Sequence, residues 1–161
     1  SSDLSPTAQT VNTTPLTRYT SGAGVECWLE WYADTGATAV TATVSYTNQD
    51  GTPGRSGTCS LAATRRARTM LQVTLAAGDT GVRSVESVTL SASTLTAGNF
   101  GVTLLKRHSM LGFLIVNVSF EADYARLAAP EIDPSACLAL AVLCTTTTSG
   151  LLLGELSLMA G

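Results

Sequence analysis

Val25-Glu26-Cys27-Trp28-Leu29-Glu30-Trp31, followed after a short break by Val40-Thr41-Ala42-Thr43-Val44-Ser45-Tyr46-Thr47, decides the architecture of this chain. In the first stretch Val25, Cys27, Leu29 and Trp31 share one parity, while Glu26, Glu30 and Tyr32 fall on the other. Successive side chains of an extended backbone point to opposite faces, so this spacing predicts a strand with one face buried. In the second stretch Val40, Ala42, Val44 and Tyr46 alternate with Thr41, Thr43, Ser45 and Thr47. The β-branched threonines favour the pleated form, which predicts a second strand of the same kind. Asp34-Thr35-Gly36 turns the chain between the two.

Outward from this pair the β reading continues. Asn48 to Gly54 is rich in residues that tolerate a positive φ or preset a turn, and predicts an exposed loop. Arg55 to Arg68 shows little periodicity and reads as loop, with Arg65, Arg66 and Arg68 the dense basic run of the chain. Leu71, Val73 and Leu75 then share a face. Val82 to Leu90 resumes a strand pattern with an irregular face around Val85, which predicts a bulge. Val102 and Leu104 open a further strand, and Leu114, Val116, Val118 and Phe120 mark the next. Ala122 to Ala129 allows two helical turns before Pro130 and Pro134 forbid more. The apolar run Cys137 to Cys144 is taken as a strand, paired through a Thr145–Gly150 loop with Leu152, Leu156 and Leu158 in a C-terminal hairpin. About eight strands at sandwich-like spacing predict an all-β, single-domain β-sandwich of jelly-roll type over residues 23–161. Residues 1–22 are polar, with Pro6, Pro15 and Tyr19 set among Ser and Thr, and predict an extended N-terminal arm.

Composition bounds the function. The 161 residues suffice for one core, 45% are hydrophobic and only 13% charged, and the mean hydropathy is +0.25. A globular protein is usually about a quarter charged, so Thr, Ser, Ala and Gly must cover much of this surface, and such a surface suits close neighbours. No apolar run approaches the roughly 18 residues of a spanning helix, and the net charge of −3 supplies no field for a phosphate backbone. Neither membrane nor direct nucleic-acid contact is expected. Ser1 to Ser5 lacks a basic and an apolar region, so no secretory signal is read, and the missing initiator Met predicts a trimmed chain. Cys27, Cys59, Cys137 and Cys144 show no metal-ligand spacing and read as buried free thiols.

The residue chemistry points to no reaction. His108 is the sole histidine and follows Lys106 and Arg107, which disfavour a further positive charge. There is no G-x-S-x-G elbow, and Glu26 and Glu30 stand roughly 13 Å apart on a strand, beyond glycosidase spacing. No metal or cofactor is expected, and no catalytic residue is assigned. Trp28 and Tyr32 offer an aromatic platform for a sugar, since Trp31 shares the parity of Leu29 and belongs to the core. The weightier reading places Pro6, Pro15, Tyr19, Trp28, Arg65, Arg66 and Arg68 in contacts with a capsid or a sister subunit. A nearly lysine-free surface, with Lys106 alone, fits buried contact faces.

Several stretches resemble the small β-sandwich virion proteins of tailed bacteriophages that decorate or cement the capsid. They are Gly22-Ala23-Gly24-Val25-Glu26-Cys27-Trp28-Leu29-Glu30, Gly36-Ala37-Thr38-Ala39-Val40, Val44-Ser45-Tyr46-Thr47-Asn48-Gln49-Asp50-Gly51, Gly98-Asn99-Phe100-Gly101-Val102-Thr103-Leu104-Leu105-Lys106, Ala136-Cys137-Leu138-Ala139-Leu140 and Gly154-Glu155-Leu156. The resemblance implies a non-enzymatic protein on the outer capsid surface, bound to the major capsid protein and to itself, as a trimer first and a dimer next. A minor capsid or tail component is the neighbouring expectation. A carbohydrate-binding sandwich of a virion surface or fibre is the alternative from a different class.

Overall fold

A computed structural model describes residues 2, 5–95, 98–109, 121, 132 and 136–140 of the chain. The strand expected at 114–120, the helical turns at 122–129, the hairpin at 145–158 and Cys144 lie outside these residues. Among the described residues the fold is all-β, with seven strands in chain order: β1 Gln9–Thr10, β2 Val25–Trp31, β3 Val40–Asn48, β4 Arg55–Leu61, β5 Thr69–Gln72, β6 Val82–Leu90 and β7 Phe100–Lys106. They form two antiparallel sheets, one in the order β1-β6-β3-β4 and the other β5-β2-β7.

The two sheets share one core. Cys27, Leu29 and Trp31 of β2 face Ala42, Val44 and Tyr46 of β3, Cys59 and Leu61 of β4, and Val82, Val85, Val88 and Leu90 of β6. Trp31 stacks on Phe100 at 5.3 Å between ring centroids, and both are almost fully buried. The parity of Val25–Trp31 and Val40–Tyr46 is therefore the inward face of each sheet.

Arg55–Leu61, expected as loop, is a full strand paired along Tyr46–Val40. Its buried positions are Gly57, Cys59 and Leu61, and its outward ones Ser56, Thr58 and Ser60. The alternation is real but was hidden, because a glycine stands at one inward position. A Cβ there would lie 2.8 Å from Val73 Cγ1 and 2.9 Å from the Thr74 carbonyl oxygen, so the close approach of the next segment requires glycine. That segment changes sheets. Thr69–Gln72 pairs with β2, Val73 N–H donates to the Cys27 carbonyl, and Thr74 exchanges both backbone bonds with Thr58 of β4 at 2.8 and 2.9 Å.

The irregularity around Val85 is a bulge. Ser45 pairs with Ser87 but Tyr46 with Val85, which leaves Glu86 as the extra residue. Its carboxylate accepts from the Ser45 and Thr47 hydroxyls and from Gly54 N–H, and the Ser45 bond leads in holding it below the usual range.

Residues 9–16, expected in an arm, lie along their own chain. Gln9 and Thr10 pair with Val88 and Ser87, Val11 N–H reaches the Glu86 carbonyl, and Leu16 N–H reaches that of Arg83. Residues 137–140, expected to begin a strand, are irregular and exposed, and Cys137 is an exposed thiol. Cys27 and Cys59 are buried as expected.

Candidate functional site

The crossovers between β2 and β3, β4 and β5, and β6 and β7 all leave from one end of the sandwich, since Trp31, Thr69 and Phe100 are register partners, as are Val40 and Leu61, and Ala42 and Leu90. This end carries the arginine run. Its loops are tied to one another through the backbone: Thr35 N–H to the Arg65 carbonyl at 2.9 Å, Arg68 N–H to the Trp31 carbonyl at 2.7 Å, and Thr64 N–H to the Gly36 carbonyl at 2.8 Å. Side chains add Arg65 N–H to Thr35 Oγ1 at 2.9 Å and Ala67 N–H to Asp34 Oδ1 at 2.7 Å.

Thr64, Arg68 and Leu95 are held at left-handed φ of 52°, 62° and 78°, a conformation uncommon for residues with a Cβ. Such outliers persist where the surroundings impose them. Tyr32, Leu95 and the Arg66 side chain project from this scaffold with exposures of 54%, 73% and 86%, and Arg68 is exposed beside them. Arg66 stands 3.8 Å from the exposed Asp34, a pair worth little in water. Arg65 is half-buried and sits near enough to Cys59 to oppose slightly the burial that pushes this thiol up to about 11.

The outer face of the three-stranded sheet is a second grouping. Glu26, Trp28 and Glu30 point outward from β2. Gln72 and Thr103 flank Trp28, Met70 and Gly101 flank Glu30, and Leu105 lies beside Glu26. The half-buried Trp28 donates its Nε1–H to Glu26 Oε2 at 3.1 Å, while Arg107 bonds Glu26 Oε1 at 3.1 Å. The Thr103 hydroxyl donates to Glu30 at 3.1 Å. Tyr32, at the end of this row, lies over Gly101, where a Cβ would collide with the phenol hydroxyl and come within 3.0 Å of two ring carbons.

The remaining contact candidates are elsewhere. Tyr19, at a φ of 52°, bonds His108 Nε2 at 3.2 Å and lies under Lys106 Nζ at 4.3 Å, at the opposite end from the arginines. Pro6 and Pro15 are exposed along the β6 side. The seven residues are thus divided among four regions, and the arginines, grouped at the loop end, are joined there by Tyr32, Asp34 and Leu95. Leu95 and Asp34 carry no distinguishing signal in the sequence, because what selects them is the meeting of three loops.

The opposite end holds the tightest polar cluster. Asp79 accepts from Arg55 Nε at 2.8 Å, the Tyr46 hydroxyl at 2.6 Å and Asn48 Nδ2 at 2.8 Å, while the Tyr46 hydroxyl accepts Ala76 N–H. Arg55, then Tyr46 and Asn48, hold this carboxyl down to about 2. Every member is satisfied by another, which describes a clasp between strand ends. Among the described residues no group of three or more His, Cys, Asp or Glu is placed to hold a metal ion. Comparison with family models, curated proteins and solved structures finds no match to this chain.

Proposed function

We propose that this chain is a non-enzymatic virion structural protein, a jelly-roll-like decoration or cement component that docks on the outer capsid surface through its arginine-bearing loop end. The observation that carries the reading is the combination there of exposed Tyr32, Leu95, Arg66 and Arg68 with loop backbones bonded to one another. Aromatic and Arg side chains dominate the energetics of protein interfaces, and loops ordered beforehand lose little entropy on docking. The partner is the major capsid protein, presenting carboxylates and an apolar patch. Self-association, as a trimer matched to local three-fold positions or else as a dimer, multiplies weak contacts by effective concentration.

Co-sedimentation of the purified chain with empty tailed-phage heads tests this. The wild-type chain is expected to pellet with heads and to be released as salt rises, and the Arg66→Glu, Arg68→Glu double variant is expected to stay in the supernatant. A wild-type chain that ignores heads overturns the reading, and one that pellets with tails instead is a tail component.

A further inference from the structure

We infer that the outer face of the β5-β2-β7 sheet is a binding site for a neutral oligosaccharide, centred on Trp28 and sharing only Tyr32 with the loop end. Four features lead there. Trp28 stands on the outer face of β2 and Tyr32 just past its end on the same parity, four positions or about 13 Å apart along an extended backbone, a span that suits a short chain of sugar rings better than a single one. A pyranose presents a face of C–H groups with partial positive charge, which the negative face of an aromatic ring attracts, so aromatics at intervals along a track suit such a chain.

Groups with hydrogen-bonding capacity alternate with the rings. Glu30 lies between the aromatics and accepts from the Thr103 hydroxyl at 3.1 Å, while Thr103 and the exposed Gln72 flank Trp28 on either side. Sugar sites are generally built this way, with apolar and aromatic contacts supplying area and a few polar groups fixing orientation. The track also continues past Trp28 into a cleft of about 570 Å³ whose lining includes Glu26, Gln72, Thr74, Leu75 and Thr80.

The aromatics are held in place before any ligand arrives. The Arg107–Glu26–Trp28 chain fixes the indole, and the missing side chain at Gly101 seats the Tyr32 ring, so little side-chain freedom remains to be lost. Charge selects for neutrality: Arg107 offsets only one of the two carboxylates, which disfavours sulfated or uronic-acid chains, and a strongly cationic surface would find no concentrated anionic patch.

Titration calorimetry of the full chain with hexasaccharides of β-1,4-glucose, β-1,4-N-acetylglucosamine and α-1,4-glucose tests the inference. At least one is expected to bind at or below millimolar Kd, with Trp28→Ala and Tyr32→Ala each weakening it about tenfold or more. Gln72→Ala, at an exposed position, is expected to weaken binding several-fold with an unchanged melting curve, and Trp28→Phe to retain part of the affinity. The inference is wrong if none of the three sugars binds at millimolar concentration, or if binding survives both aromatic substitutions. It is equally wrong if Trp28→Ala alters the oligomeric mass or head binding while no sugar binds, because the face is then a protein contact.

Discussion

Gly57 is the residue whose absence of a side chain does most for the fold. It lets the Val73–Thr74 segment close against β4 and so lets the chain pass from one sheet to the other. Gly57→Ala adds a methyl where Val73 and a backbone carbonyl already stand within 3 Å, and should cost about 1–3 kcal/mol, read as a lower urea midpoint at unchanged slope. Gly81 offers a parallel, since a Cβ there would collide with the Gly22 carbonyl and lie 2.9 Å from Gly24 N. The cysteines divide by environment in the same way. Burial pushes the Cys27 thiol up to about 12 and the Cys59 thiol to about 11, so little reactive thiolate forms near neutral pH. Alkylation of the native chain followed by peptide mass mapping should label Cys137 promptly, and Cys27 and Cys59 only after unfolding. The inward parity of Cys27 on β2 was readable in the sequence; that of Cys59 on β4 depended on recognising glycine as a buried position.

Between elements, the β3–β4 hairpin and the β5–β6 connection are fastened at Asp79. Tyr46 and Asn48 come from the end of β3, Arg55 from the start of β4, and Ala76 from the connection itself. Because the folded carboxyl titrates at about 2, below its ordinary value of 3.8, its contribution to stability is complete above that ordinary value. It is lost as pH falls from near 4 towards 2. The wild-type melting temperature should therefore drop across that window, and Asp79→Asn should melt lower at neutral pH with a flatter acid limb. Glu86, also held low, adds to the wild-type drop and remains in the variant, so the difference between the two curves isolates Asp79. The sequence marks Asn48 to Gly54 as a turn and does not disclose this clasp, because its five members, Tyr46 to Asp79, are spread over more than thirty positions and meet only through strand register.

For the molecule as a whole, the low charge content goes to identifiable places. The outward face of the four-stranded sheet carries Thr41, Thr43 and Ser45 of β3, Ser56, Thr58 and Ser60 of β4, and Ser87 and Thr89 of β6, aligned across the strands. It is a hydroxyl surface, polar enough for water and with little charge to strip on contact. The same sheet is bordered at β6 by β1, which covers an edge that would otherwise offer unpaired backbone groups to other chains. Removing residues 1–16 should uncover that edge, lower the melting temperature and make the protein associate with rising concentration in light scattering. An unchanged melt and an unchanged mass would reduce the Gln9–Leu16 contacts to incidental ones.

Strand identity and the choice of inward face were legible along Val25–Trp31 and Val40–Tyr46 because alternation is a local property: one backbone, two faces, and a side chain's polarity reporting which face meets the core. The outward placement of Trp28 and Tyr32 followed from the same parity. Only the tertiary structure made a strand of Arg55–Leu61, laid residues 9–16 on β6, gathered Tyr32, Leu95 and the arginines at one end, and enclosed Asp79 in a clasp. Each of those outcomes depends on what lies across a gap between segments distant in sequence, and that is set by register and crossover, which no single strand's pattern contains.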